Sequence, residues 1–100
     1  MKDELLQIIN HYGIEHQQRK LEEEVFELQQ AITKFENTDF GKWEDKKYIF
    51  TKDIIEELAD VEVLLNQIQN YYQIDGQKII DVMQFKVDRQ LGRIENEIHS

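Results

Sequence analysis

The sequence contains no cysteine and no proline, has only four glycines, and never runs to the ~20 consecutive apolar residues that a membrane span needs. Without cysteine there are no disulfides, zinc–thiolate sites, iron–sulfur clusters or thiol nucleophiles. Without proline, and with glycine confined to Gly13, Gly41, Gly76 and Gly92, long helices can run uninterrupted between few breaks. The first residues, Met1-Lys2-Asp3-Glu4-Leu5-Leu6, carry acids where a signal peptide would be basic and then apolar, so the reading is a soluble, cytoplasmic protein. Basic residues are also scarce. Twelve Lys and Arg face 21 Asp and Glu, a formal net charge of −9 that repels phosphate polymers and anionic lipid. Nucleic acid and membrane are therefore disfavoured as partners. A divalent cation is favoured, and it would also let an acidic protein handle a phosphorylated substrate.

What is present fits one domain spanning residues 1–100, with 40% apolar and 10% aromatic residues. Hydrophobic spacing and cap signals predict an all-α chain of about four helices, at 2–11, 15–36, 52–72 and 76–97. The second carries Leu21, Val25, Leu28, Ile32 and Phe35 on one stripe, and the third repeats the pattern with Ile54, Leu58, Val61, Leu65 and Ile68. The fourth shows Ile80, Val87, Leu91, Ile94 and Ile98, with Met83 at the edge. A helical bundle with a four-helix core is the simplest cover for such stripes. Thr51 is the expected N-cap of the third helix, with Phe50 stapled to Ile55. Asp75 is the expected cap of the fourth, with Ile74 stapled to Ile79. The long connection 37–50, with Phe40, Trp43, Tyr48 and Phe50, is either a lid or a packed loop. Tyr71 reads as bundle edge and Tyr72 as core.

Sliding the second helix by 33 residues lays it on the third: Leu21 on Ile54, Glu24 on Glu57, Val25 on Leu58, Glu27 on Asp60, Leu28 on Val61 and Ile32 on Leu65. At about 100° per residue, Glu24 and Glu57 stand about 60°, and Glu27 and Asp60 about 120°, to one side of their stripes. Two helices packed through equivalent stripes would bring both carboxylate pairs to the edge of one core, where four acids repel unless cations lie between them. Oxygen ligands at i and i+3 on facing helices suit Mg²⁺, or Mn²⁺. A di-iron bundle would need Glu-x-x-His, and the residues three before His11, His16 and His99 are Ile8, Gly13 and Asn96. The histidines read as surface or local polar residues.

The run Lys20-Leu21-Glu22-Glu23-Glu24-Val25-Phe26-Glu27-Leu28, followed by Glu56-Glu57-Leu58-Ala59-Asp60-Val61, resembles the MazG-like all-α nucleoside triphosphate pyrophosphohydrolases, whose signature is E-x-x-E, a gap, then E-x-x-D. The likeness covers roughly residues 15–95, and the gap of 29 residues between Glu27 and Glu57 is at the long end for such a family. The resemblance implies Mg²⁺-dependent hydrolysis of a nucleoside triphosphate between its α and β phosphates, giving the monophosphate and pyrophosphate in nucleotide-pool house-cleaning. It implies Glu24, Glu27, Glu57 and Asp60 as catalytic metal ligands, with Lys86 and Arg89 on the fourth helix reaching the triphosphate. It also implies assembly as a homodimer or homotetramer.

Composition agrees with the last expectation, since three long stripes exceed what a 100-residue chain easily covers. The mutual repeats in the second and third helices suit pairing with their copies, near which the active sites would lie. A competing reading is a small acidic helical interaction module without catalysis, its carboxylates serving only solvation.

Overall fold

A computed structural model describes residues 1–99. Four α-helices account for nearly all of them: α1 (Lys2–Tyr12), α2 (Ile14–Glu36), α3 (Lys47–Tyr71) and α4 (Gly76–His99), with one 3₁₀ turn at Glu44–Lys46 before α3. The all-α bundle expected from the spacing is what the chain forms. No helix among the described residues is long and apolar enough to cross a membrane.

The connection between α1 and α2 is a single residue, Gly13, at φ +89°, a conformation that strains any side chain. Its N–H closes α1 by donating to the Ile9 carbonyl at 2.7 Å. At α4 the expected cap is present, as Asp75 Oδ1 accepts from the Gln77 N–H at 3.0 Å.

The start of α3 differs from expectation. The helix begins at Lys47, because the 3₁₀ turn feeds directly into it and no open N-terminus exists at Thr51. The Thr51 hydroxyl instead donates back to the Lys47 carbonyl at 2.9 Å, as a Thr inside a helix does. Ile55 is exposed, and Phe50 packs on Phe40 rather than acting as a staple. Phe40 also lies 4.8 Å from the Phe35 ring, and Lys34 covers Phe50, so the connection is a packed loop pinned at Phe40. Trp43 and Tyr48 stay exposed. Tyr72 is a correction: it is 58% exposed rather than core, since α3 ends at Tyr71 and the chain turns away there.

Packing joins α2 to α3, and α1 to both, mainly to α3. Leu5 and Ile9 of α1 and Leu64 of α3 are the buried apolar residues. α4 lies outside this packed set, and none of its residues is buried. The molecule is accordingly drawn out, 46 × 40 × 21 Å with a radius of gyration of 17.8 Å, where about 13 Å is usual for 100 residues.

Candidate metal centre between α2 and α3

α2 and α3 run antiparallel with a constant register. Gln17 meets Gln67, Glu24 meets Asp60, and Glu27 meets Glu57; each pair of numbers adds to 84. Combined with the 33-residue repeat, this register relates the two helices by an approximate two-fold axis through the four acids. The repeat in the sequence is thus a repeat in space, centred on the carboxylates.

The helices meet through a line rotated from the centre of the apolar stripes towards the acids. Glu24 is 7% exposed while its neighbour Val25 is 37% exposed. On α2 the inward line runs through Gln17, Leu21, Glu24, Leu28 and Phe35, and on α3 through Ile54, Glu57, Val61, Leu64, Gln67 and Ile68. Glu24 therefore sits in the seam rather than at its edge.

One carboxylate oxygen each from Glu24, Glu57 and Asp60 lie within 4.8 Å of one another. That is the span over which a cation bound at about 2.1–2.5 Å reaches oxygens on opposite sides. Lys20 Nζ pairs with Glu24 Oε1 at 3.4 Å and with Glu23 at 3.6 Å. Glu24 Oε2 and Glu57 Oε2 are both buried and meet no hydrogen-bond donor, an arrangement that costs about 1–3 kcal/mol or more per group unless an ion or water satisfies it.

Electrostatics report the same crowding. Burial pushes the Glu57 carboxyl above its ordinary value, and the charges of Glu27, Asp60 and Glu24 push it the same way. The hydrogen bond and charge of Glu24, then the charge of Glu23, hold the Lys20 ammonium above its ordinary value. The fourth acid, Glu27, stands outside the closest trio but faces Glu57. Beside the cluster lies a depression of about 230 Å³ lined by Gln17, Lys20, Glu24, Asp60, Val63 and Leu64.

Lys86 and Arg89 are not brought to this cluster within one chain. They lie on α4, which makes no extensive packing with α2 or α3, and Arg89 stacks over Phe85, 5.8 Å from the ring centre. The histidines are local, as expected: His16 stacks on Tyr12 and contacts Gln17 Oε1 at 2.7 Å, and His99 pairs with Glu95 at 3.0 Å.

Three residues of the seam were not evident from the motifs. Gln17 Nε2 donates to Gln67 Oε1 at 2.8 Å, and these amides are among the most buried polar groups of the chain. Their signal is periodicity, since Gln17 precedes Glu24 by seven and Gln67 follows Asp60 by seven, which continues the seam by two helical turns. Lys20 precedes Glu24 by four, the spacing of a helical ion pair.

Neither a family model nor any curated protein nor any solved structure matches the chain.

Proposed function

We propose that this protein is a Mg²⁺-dependent nucleoside triphosphate pyrophosphohydrolase, with the α2–α3 seam as its metal centre. The observation that supports the reading best is the pair of buried, unpartnered oxygens, Glu24 Oε2 and Glu57 Oε2, in a trio of carboxylates closed by Asp60. A solvated acidic face has no reason to bury carboxylate oxygens without donors. The E-x-x-E and E-x-x-D pattern, with its resemblance to MazG-like enzymes, supplies the reaction class.

Glu24, Glu57 and Asp60 would hold Mg²⁺ or Mn²⁺, with Glu27 adding charge beside Glu57. The ion, when bound, would neutralise triphosphate oxygens and acidify a water. Lys20 fixes Glu24 by pairing with Oε1, which leaves Oε2 for the cluster. Gln17 and Gln67 lock the neighbouring turns of both helices, so the carboxylates approach one another in a rigid frame. Hydrolysis adds water across the bond joining the α and β phosphates, releasing monophosphate and pyrophosphate. No Ser–His or Cys–His pair is required.

A panel of nucleoside triphosphates incubated with Mg²⁺ tests the reading. Pyrophosphate, with the monophosphate, is the expected product. Orthophosphate with the diphosphate would show that another bond is cut, and an unchanged melting temperature on adding Mg²⁺ or Mn²⁺ would remove the metal centre altogether.

A further inference from the structure

The depression beside the carboxylates extends towards the N-terminal half of α2 and away from the long loop, since its walls Gln17, Lys20, Val63 and Leu64 all lie on that side of Glu24 and Asp60. Gln17 and Lys20 are also walls of a second depression, of about 450 Å³, which Tyr12, His16, Arg19 and Glu23 complete. The apolar hollow around Trp43 shares no wall with either. In the second depression the rings of Tyr12 and His16 stack at 5.0 Å, 18° from parallel, and both residues are exposed. His11 braces Tyr12 edge-on at 4.7 Å. The imidazole is held in place, because its Nδ1 lies 2.7 Å from Gln17 Oε1 and the buried Gln17 amide donates onward to Gln67 Oε1 at 2.8 Å. With the amide in this orientation, Nδ1 carries the proton that Gln17 Oε1 accepts.

We propose that this second depression is a nucleobase subsite and that the base it selects is guanine. The inference rests on the reading of the carboxylate trio as the place where a nucleoside triphosphate meets its metal. An exposed, fixed pair of stacked rings is a platform for the face of a base. Eight residues, about 12 Å of helix, separate His16 from Glu24, which leaves room for a sugar between a base on the rings and phosphates at the carboxylates. Arg19 supplies the selection. It stands three residues after His16 on the same flank of α2. Among the described residues it takes part in no ion pair, although the chain has 21 acids. Its guanidinium has donors only. Guanine offers O6 and N7 side by side as acceptors, which a guanidinium meets with two hydrogen bonds. Adenine presents its N6 amino group in the place of O6, donor against donor.

Equilibrium binding of guanosine monophosphate and adenosine monophosphate to the intact chain, in Mg²⁺, tests the subsite, with pyrophosphate release from triphosphates measured separately. The two ligands share sugar and phosphate, so a difference between them reports the base alone. The wild type should bind guanosine monophosphate about 10-fold more tightly than adenosine monophosphate. Arg19→Ala should bring the two affinities together, and His16→Ala should weaken both about 10-fold. Trp43→Ala should change neither. All three residues are exposed, so each variant should keep its helical circular dichroism and its rise in melting temperature with Mg²⁺. Equal wild-type affinity for the two ligands, or binding of neither, would overturn the subsite. So would an equal loss of both ligands in Arg19→Ala, which would place that side chain on the phosphate. Guanine-selective binding without pyrophosphate release from any triphosphate would uphold the subsite and refute the hydrolase, whereas pyrophosphate release without base selection would do the reverse.

Discussion

The α2–α3 seam and α4 start from the same kind of sequence, an apolar stripe at helical spacing with charges on its flanks, and end in opposite surroundings. In the seam, the Glu24 carboxylate and the Gln17 and Gln67 amides are buried ahead of several stripe residues. In α4 the stripe is complete and no residue is buried. Periodicity therefore decides that a segment is helical, but not which angle of the helix meets a neighbour. In the seam that angle is set by pairing across the antiparallel register, Gln17 with Gln67 and the acids with one another, and this rotates Val25 and Ile32 outward. The polar seam is then the specialised part of the molecule, and the apolar stripes outside it stay exposed.

The largest expected effect falls on the seam. Glu57→Gln or Asp60→Asn should lower turnover at least ~100-fold, because a bound cation supplies several kcal/mol of charge stabilisation and each ~1.4 kcal/mol is a factor of ten. The Mg²⁺-induced rise in melting temperature should vanish as well. Without metal, the same variants should be as stable as the wild type or more so, since each removes one of several mutually repelling carboxylates. If either variant unfolds in the absence of metal, these acids are structural and the contrast drawn between seam and stripe fails.

The second expectation separates packed from unpacked apolar residues. Ile9, fully buried where α1 meets α3, should cost about 2–5 kcal/mol when changed to Ala. Phe85, 65% exposed on α4 and outside its stripe, should change stability by less than about 0.5 kcal/mol as Phe85→Ala. Urea titration of both variants checks the difference. Equal losses would mean that α4 packs within its own chain after all.

Much of this was legible in the residues. Glycine positions and the absence of proline located the helices, and Asp75 marked the start of α4. The 33-residue repeat predicted the juxtaposition of Glu24, Glu27, Glu57 and Asp60, because two similar amphipathic helices pack through similar faces; three of the four form the close cluster and Glu27 stands just outside it. Less legible was anything that depends on a competing partner for the same group. Thr51 looks like a cap only until a 3₁₀ turn precedes it, after which its hydroxyl bonds within the helix. Tyr72 looks like core until the chain turns at the end of α3. Gln17 and Gln67 look like surface amides because an isolated sequence does not show that each satisfies the other.

The smallest expected effect sharpens the comparison through pH. The Glu57 carboxyl is held above its ordinary value by burial first and then by Glu27, Asp60 and Glu24. Over the window between the ordinary value near 4.5 and the raised one, the folded protein keeps a proton that the unfolded chain has already lost. The folded state then binds more protons, so metal-free stability must fall as pH rises through that window and level off above it. Glu57→Gln removes this component, so its melting temperature should fall less than that of the wild type over the same range. Glu22→Gln makes the control, because Glu22 is an exposed acid on the other flank of the α2 stripe and its loss should leave the slope intact. Saturating Mg²⁺ should restore the stability lost at neutral pH, as the ion binds the deprotonated cluster. Thermal scans of the three proteins with chelator and with Mg²⁺ measure each part. Identical slopes for the wild type and Glu57→Gln would show that the crowding of acids in the seam is too weak to favour a cation there, and the metal centre would lose its electrostatic basis.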